Sequence, residues 1–175
     1  MVFPINTPVK INLETNDVIH SFWVPKIAGK VDLMPGKTNS MWLYADTVGN
    51  YSGQCAEYCG DSHAYMLFRG IATTEDKFDQ WVEAQKKPAE IKNLEGKAKE
   101  GYDLFMGTTL YAESKKRGMK TNPVTCATCH ILGTEKDYKF EPYRKSPYPN
   151  ITHFAERTTI AAGWRDSNHE EVKKW

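Results

Sequence analysis

A short stretch from Cys55 to Met66 constrains this chain more than any other part of the sequence. It places two thiols, an imidazole and a thioether close together, at Cys55, Cys59, His63 and Met66. Thiolate, imidazole and thioether are the ligand types that select copper in electron-transfer sites. Because a metal held by one short loop needs a stiff scaffold, we expect β-strands on both sides of this segment.

Residues 9–14 alternate apolar and polar side chains, as a half-buried strand does, and several other short runs around this loop are strand-like in composition. The strand-like runs are residues 9–14, 18–24, 40–45, 51–54 and 64–72. Turn residues such as Asn16 and Asp17 separate them at short intervals, which is typical of a β-sandwich. We expect Trp23 and Trp42 to pack in its core and residues 26–37 to form a loop.

A helix is predicted to close this first domain. Thr74 is a plausible N-cap, and Phe78, Trp81 and Val82 have the i, i+3, i+4 spacing of an amphipathic helix, with Trp81 as its core anchor. The Gln-Lys-Lys-Pro sequence at 85–88 is the predicted linker. The chain therefore divides into two predicted domains, residues 1–87 and 88–175.

Composition is that of a globular protein, with 40% apolar and 26% charged residues. The formal net charge of +1 gives no field that would favour nucleic acid as a partner. Residues 1–87 carry 8 Lys and Arg against 10 Asp and Glu, whereas residues 88–175 carry 15 against 12. No run of apolar residues is long enough to predict a transmembrane helix, and the first residues do not resemble a signal peptide.

A second pair of cysteines lies in the sequence Cys-Ala-Thr-Cys-His at 126–130, the pattern for covalent attachment of c-type haem. Two thiols at this spacing can add to the two vinyl groups of a porphyrin, and the adjacent His130 can bind the iron. A dithiol redox motif is the alternative. A predicted helix with Gly101, Tyr102 and Phe105 on one face precedes the motif, and a Pro-rich irregular loop is predicted at 133–150. The residues at 167–170 resemble a capping box that opens another helix.

The first cysteine pair has three alternative interpretations: a disulfide, a zinc site and a mononuclear copper site. A disulfide between Cys55 and Cys59 leaves His63 and Met66 without a role. A zinc site would use both cysteines with His63 and the upstream His20, but gives no role to Met66. A mononuclear blue-copper site needs one cysteine, not two.

Three motifs resemble subunit II of a haem–copper cytochrome c oxidase. They are Val-Ile-His-Ser-Phe-Trp-Val-Pro at 18–25, Asp-Leu-Met-Pro-Gly at 32–36, and Tyr-Ser-Gly-Gln-Cys-Ala-Glu-Tyr-Cys-Gly at 51–60 followed by His63 and Met66. The second half of the chain resembles a class I cytochrome c domain, so the whole resembles subunit II of a caa-type oxidase. The resemblance implies a fold that is mainly β plus α, with a cupredoxin-like β-sandwich followed by a small α-helical cytochrome c domain.

By this resemblance residues 1–87 hold a binuclear copper centre, CuA. Its ligands would be two bridging thiolates, one imidazole for each copper, and two weak axial donors. In this chain these groups belong to Cys55, Cys59, His20, His63, Met66 and the main-chain oxygen of Glu57. The Glu57 side chain is implied to help bind Mg²⁺ against subunit I.

The resemblance also implies that haem c is attached to Cys126 and Cys129, with His130 as an axial ligand of the iron. The family supplies its other axial ligand from a methionine after the haem motif, and none of the six Met residues here follows His130. We therefore expect the chain to stop short of that ligand. The alternative is that His153 or His169 binds the iron, and His153 is the candidate distal ligand of the two. His169, in the predicted capping position, is expected to lie solvated at the surface.

The function implied is that of an electron-transfer subunit of a respiratory terminal oxidase. Electrons would pass from cytochrome c or a quinol-oxidising complex through haem c and CuA to the haem of subunit I, where O₂ is reduced to water and protons are pumped. The O₂ chemistry would take place outside this chain. The alternatives are a copper and haem arm of a nitric or nitrous oxide reductase and a soluble electron shuttle, and Glu57 favours the oxidase.

The implied partners are subunit I and the other oxidase subunits, at the extracytoplasmic face of the bacterial cytoplasmic membrane. The family carries transmembrane helices and a first pair of strands before the position of Met1, and further residues after the position of Trp175. We therefore expect the chain to be truncated at both ends relative to the family.

Overall fold

The computed structural model of the chain describes residues 1–119, 123–133 and 148–174. The chain forms two compact units. The first combines Met1–Glu83 with Arg157–Trp175, and the second is Ala84–Glu156. The last residues of the chain thus return to the first unit, whereas the sequence predicted one domain over 88–175. The assignment of a copper domain and a cytochrome c domain stays a prediction, and most of the loop predicted at 133–150 lies outside the described residues.

The first unit is built on β-strands. In chain order they are β1 (Val2–Pro4), β2 (Val9–Leu13), β3 (His20–Trp23), β4 (Lys30–Leu33), β5 (Asn39–Leu43), β6 (Gly49–Cys55) and β7 (Leu67–Thr73). Five of them form one sheet in the order β1-β7-β6-β3-β4, and β2 pairs with β5 in a second sheet. The β1–β7 pair is parallel, and the other pairs are antiparallel. The predicted β-rich character of this half of the chain is confirmed.

The core lies between these two sheets. Its central cluster consists of Leu13, Met41 and Leu43 on β2 and β5, with Phe22 and Val31 of the larger sheet packed against it. A second cluster contains Phe3, Ala45 and Ala72. Removal of these apolar side chains from water is the main force that holds the two sheets together.

Two sequence predictions about this unit are wrong. Trp42 is 61% exposed, because the alternation of a strand turns Met41 and Leu43 inward and Trp42 outward. Residues 30–33 form β4 inside the predicted loop, since their main chain pairs with β3 although the side chains show no clear alternation.

The helix predicted after the strands is present as α1 (Glu75–Gln85). Its proposed core anchor, Trp81, is 39% exposed, so this detail of the prediction is wrong. The Trp81 ring stacks on Phe78 of the same helix, with ring centroids 6.1 Å apart.

The described part of the second unit contains α2 (Gly96–Met106), α3 (Thr108–Lys116) and the short α4 (Cys126–Cys129). Helix α3 occupies a polar stretch whose sequence shows no helical period. Gly107 ends α2 in the left-handed region at φ +74°, and a Cβ atom there would lie 2.1 Å from Thr125 Cγ2. A glycine is therefore needed both for the turn and for the close approach of α2 to the segment before α4.

The returning segment of the first unit forms a hairpin of β8 (Thr159–Ile160) and β9 (Arg165–Asp166), followed by α5 (His169–Lys174). The Glu171 N–H donates to Asn168 Oδ1 over 2.9 Å, so the N-cap is Asn168, one residue later than the capping box predicted. Within the described residues, no helix has the length and apolar character that crossing a bilayer requires.

The two faces of β5 give a paired stability test. Leu43 is fully buried, so Leu43→Ala is expected to lower the free energy of unfolding by about 2–5 kcal/mol. The matched control is Trp42→Ala on the outward face, which is expected to cost less than about 1 kcal/mol. Chemical denaturation of the metal-free chain measures both, and an equal cost for the two variants would contradict this strand register.

Candidate metal centre and haem attachment site

Residues 55–66, which we call the ligand loop, connect β6 to β7. The two strands pair from Gly49 with Ala72 to Gln54 with Leu67. The Cys55 N–H then donates to the Met66 carbonyl oxygen over 2.9 Å, which closes the loop at its base. Both ends of the ligand loop are therefore fixed by the same hairpin, as the sequence predicted for a loop on a stiff scaffold.

The far side of the ligand loop is folded by short main-chain hydrogen bonds. Residues His63–Tyr65 form one turn of 3-10 helix, and the Met66 N–H donates to the His63 carbonyl over 3.1 Å. Gly60, at φ +121°, precedes this turn and accepts from the His63 N–H. This turn orients His63 and Met66 toward the cysteines.

His20 enters the site from the neighbouring strand. It is the first residue of β3, which pairs with β6 through Phe22 and Cys55. The Ala56 N–H donates to the Ser21 carbonyl over 3.0 Å and holds β3 against the start of the ligand loop. His20 Nδ1 consequently lies 3.9 Å from Cys55 Sγ.

The remaining predicted ligands surround the two sulfurs. The Sγ atoms of Cys55 and Cys59 are 3.9 Å apart. The Glu57 carbonyl oxygen is 3.2 Å from Cys55 Sγ, whereas His63 Nδ1 and Met66 Sδ are 3.4 and 3.9 Å from Cys59 Sγ. The structure thus brings together all six donor groups that the sequence singled out.

These distances fit a metal site. Both thiols are free, and 3.9 Å is far beyond a disulfide bond of about 2.05 Å. Two sulfurs at that separation can both reach a common metal, since thiolate–metal bonds are about 2.3 Å long. The ligand atoms of His20, Cys55 and Cys59 all lie within 4.8 Å of one another. The additional thioether of Met66 favours copper over zinc.

Asp17 supports the site from behind His20 and was missed by the sequence analysis, which treated it only as a turn residue. Asp17 Oδ1 lies 2.8 Å from His20 Nε2 and accepts a hydrogen bond from Thr15 Oγ1 over 2.6 Å. A carboxylate can only accept here, so in the neutral ring Nε2 carries the proton, and the Nδ1 lone pair lies on the side of Cys55. The only local signal was a carboxylate three residues before a histidine.

The same contacts shift the pKa values of both groups. The hydrogen bond from Thr15, followed by that from His20, lowers the pKa of Asp17 to about 2. Burial by itself would lower the pKa of His20, but the hydrogen bonds with Asp17 and Cys55 outweigh it and the net shift is upward. Asp17 therefore remains ionised beside His20 at neutral pH.

The two thiols are shifted in opposite directions. Burial raises the pKa of Cys55, but backbone hydrogen bonds at Glu57 and Ser21, together with His20, bring it down to about 7. Burial and the neighbouring Cys55 raise the pKa of Cys59. Cys55 is therefore the more readily ionised of the two thiols, and a metal that binds both sulfurs must displace the protons that remain on them.

The outer part of the ligand loop faces away from the sheet. The Glu57 side chain is exposed, and Tyr58 is 73% exposed with its ring edge against the His63 ring. An exposed carboxylate next to the centre is compatible with the predicted Mg²⁺ site, which stays a prediction.

The haem motif lies on α4, whose N-terminus is a capping box. The Thr125 N–H donates to Thr128 Oγ1 over 3.1 Å, and the Thr125 side chain caps the N–H of Thr128 in return. Cys126 is exposed and Cys129 is half-buried, and both thiols are free. The short helix therefore presents two unpaired thiols, as attachment to a porphyrin edge requires.

His130 follows α4 and is oriented by a carbonyl group. Its Nδ1 lies 3.0 Å from the Pro149 carbonyl oxygen, which can only accept a hydrogen bond. Nδ1 therefore carries the proton in the neutral ring, and Nε2 is the atom able to bind iron. Metal-binding histidines commonly donate the other ring N–H to a carbonyl oxygen in this way, which fixes their tautomer and ring orientation.

The two histidines considered for the distal position lie in different units. In the second unit, His153 Nδ1 is 3.2 Å from Glu156 Oε1. His169 is exposed at the start of α5 in the first unit. The distal role of His153 stays a prediction.

Known proteins match this chain either over nearly its whole length or over about half of it or less. Residues 1–71 match the family model of the periplasmic domain of cytochrome c oxidase subunit II. Cytochrome c oxidase subunit 2 of Alkalihalophilus pseudofirmus is 36% identical over 172 residues, which is 98% of this chain and 43% of that protein. The subunit of the same name from Synechocystis is 42% identical over 81 residues, which is 46% of this chain and 24% of that protein.

The chain thus spans less than half the length of these relatives. Among solved structures, the periplasmic domain of subunit II of cytochrome oxidase from Bradyrhizobium japonicum is 37% identical. The alignment covers 48% of this chain and 61% of that one, with a TM-score of 0.47.

The tautomer of His130 can be tested directly. In the haem-free chain, under alkaline conditions that leave imidazole rings neutral, long-range ¹H–¹⁵N NMR should show His130 protonated at Nδ1, because the Pro149 carbonyl oxygen accepts that hydrogen bond. The exposed His169 is the control and should show mainly the Nε2-protonated form of a solvated imidazole. A dominant Nε2–H form at His130 would contradict the orientation described here.

Proposed function

We propose that this chain is the electron-entry portion of a respiratory terminal oxidase, because residues 1–71 match the family model of the periplasmic domain of cytochrome c oxidase subunit II. It would pass electrons from a donor, by way of covalent haem c and a binuclear copper centre, to the haem of subunit I. The oxidase would use them to reduce O₂ to water and to pump protons.

One observation carries the copper part of the proposal, namely that the donors fall into two matched sets. Cys55 Sγ has His20 Nδ1 and the Glu57 carbonyl oxygen beside it, at 3.9 and 3.2 Å. Cys59 Sγ has His63 Nδ1 and Met66 Sδ beside it, an imidazole and a thioether, at 3.4 and 3.9 Å. Structural zinc sites take four donors, so six donors in two sets favour two metal ions that share the thiolates.

The dicopper centre supplies one-electron transfer when it is bound. The residues of this chain fix the positions of the ligands that would bind it. The hairpin fixes Cys55 and Met66, β3 fixes His20, and Asp17 fixes the ring of His20. A preorganised ligand set has little structural change to undergo between redox states, which is what rapid electron transfer requires.

The haem part of the proposal is supported by the local geometry of α4 and by the extent of the matches. The unpaired thiols of Cys126 and Cys129 and the oriented Nε2 of His130 fit a c-type haem, which supplies a second one-electron carrier when attached. One relative matches nearly the whole chain, whereas another matches only about half of it. A second module joined to the first would make electron transfer intramolecular, at an effective concentration on the order of mM for a short linker.

Partners and location follow from the same family match. We propose subunit I and the other oxidase subunits as partners, with cytochrome c or a quinol-oxidising complex as the donor. The site would lie at the extracytoplasmic face of the bacterial cytoplasmic membrane. The Glu57 carboxylate would contribute to a Mg²⁺ site against subunit I. The names of the relatives favour an oxidase over a nitric or nitrous oxide reductase arm or a soluble shuttle.

Reciprocal variants of the full chain test this function. Cys59→Ser should abolish binding of the copper pair and leave haem attachment intact, because it removes one shared sulfur. Cys126→Ser should remove one covalent haem bond and leave copper binding intact. Copper analysis and the haem absorbance measure both, and loss of copper in the Cys126→Ser variant or of haem in the Cys59→Ser variant would contradict two separate sites.

The support given by Asp17 is a further prediction. Asp17→Asn should weaken copper binding about tenfold to hundredfold, since removing the group that hydrogen-bonds to a metal-binding histidine has effects of this size. Asp46→Asn is the matched control, because the exposed Asp46 carboxylate also accepts a hydrogen bond from a threonine, Thr47 Oγ1, close to the end of β5. Titration against a competing chelator measures both, and equal affinities for the two variants would remove the role assigned to Asp17.

A further inference from the structure

We propose that Trp164 is a positioning residue for the ligand loop. This inference rests on the proposed copper function and adds a residue that the sequence motifs do not include. The Trp164 ring packs against Tyr65, with ring centroids 4.8 Å apart and planes at 47°. Tyr65 ends the 3-10 turn that begins at His63, and it directly precedes Met66. A side chain from the end of the chain thus contacts the segment that carries two proposed copper ligands.

The main chain beside Trp164, at Gly163, also lies close to the first residues of β7. A Cβ atom on Gly163 would lie 3.1 Å from Phe68 Cα and 3.2 Å from the Leu67 carbonyl oxygen. These distances are tighter than ordinary Cβ contacts, and Gly163 has a φ of +78°, so a glycine is favoured where the turn between β8 and β9 approaches the first residues of β7. The turn therefore rests on the backbone that begins immediately after Met66.

The conformation of this turn also indicates a specific contact. Ala161 and Ala162 have φ values of 52° and 54°, a region that alanine rarely adopts. Residues persist in such conformations when the surrounding structure over-determines them. Docking of Gly163 and Trp164 against β7 and the ligand loop supplies that constraint.

Trp164 is itself held from the side of α5. The Arg165 guanidinium carbon lies 4.4 Å from the centroid of the Trp164 ring, a cation–π contact. Arg165 forms an ion pair with Glu171, which also accepts from Lys174 Nζ over 2.9 Å. A continuous series of contacts therefore runs from α5 through Arg165 and Trp164 to Tyr65.

The two halves of the site are supported differently. His20 and Cys55 lie on strands of the main sheet, whereas His63 and Met66 flank a single turn of the ligand loop. Among the described residues, this turn makes two ring contacts, Tyr65 with Trp164 and His63 with Tyr58. Loss of the Trp164 ring should therefore loosen the His63 and Met66 half and leave the His20 half unchanged.

Hydrogen exchange in the metal-free full chain tests this asymmetry without any cofactor. In Trp164→Ala the Tyr65 and Met66 amides should exchange about tenfold faster, since one aromatic pair is worth up to about that factor in a local opening equilibrium. The Phe22 amide on β3 should keep its wild-type rate. Trp42→Ala, which removes an exposed tryptophan from β5, is the control and should alter neither region.

Two further measurements keep the result interpretable. Trp164→Phe retains a ring and should preserve most of the protection. Tyr65→Ala and Trp164→Ala should each accelerate Met66 exchange, and the double variant should add little to either, because both remove the same contact. In the copper-loaded chain, Trp164→Ala should shift the reduction potential while Trp42→Ala should not.

The outcomes separate this inference from the proposed function. Wild-type exchange rates at Tyr65 and Met66 in the Trp164→Ala variant, or additive effects in the double variant, would overturn the positioning role. A wild-type chain that binds no copper pair would overturn the proposed function, and the exchange measurement would still report on the role of Trp164.

Discussion

The hydrogen bond between the Cys55 N–H and the Met66 carbonyl is the constraint on which the rest of the site depends. It ends the pairing of β6 with β7 and makes the ligand loop a closed hairpin connection. Because both ends of the loop are fixed, a few local hydrogen bonds suffice to bring Cys59 and His63 to the first cysteine. The hydrophobic core between the two sheets contributes by holding the strands on which this closure and His20 depend.

The composition of the site was largely predictable from sequence, because its chemistry lies in local motifs. Spacing alone singled out Cys55, Cys59, His63 and Met66, and the family resemblance added His20 and the main-chain oxygen of Glu57. Support for these ligands was not predictable in the same way. Asp17 looked like a turn residue, and no motif singled out Trp164, since its contact with Tyr65 joins segments that are far apart in the chain.

The fold shows the same division between local and distant effects. Short apolar runs between turn residues located most strands, and alternation with a period of two marked residues 9–14. This sequence pattern misplaced Trp42, since an aromatic residue between two buried neighbours must face outward. It missed β4, whose existence depends on pairing with β3 rather than on its own side chains. It also could not show that residues 157–174 return to the first unit, because nothing in that segment indicates its packing partner.

The central claim is that two thiolates of one loop are shared by two copper ions. The EPR spectrum of the oxidised, copper-loaded full chain tests it most directly. The account predicts hyperfine structure from one unpaired electron shared equally by two copper nuclei, with two coppers bound per chain. A spectrum from a single copper nucleus, or bound zinc with no copper signal, would contradict it.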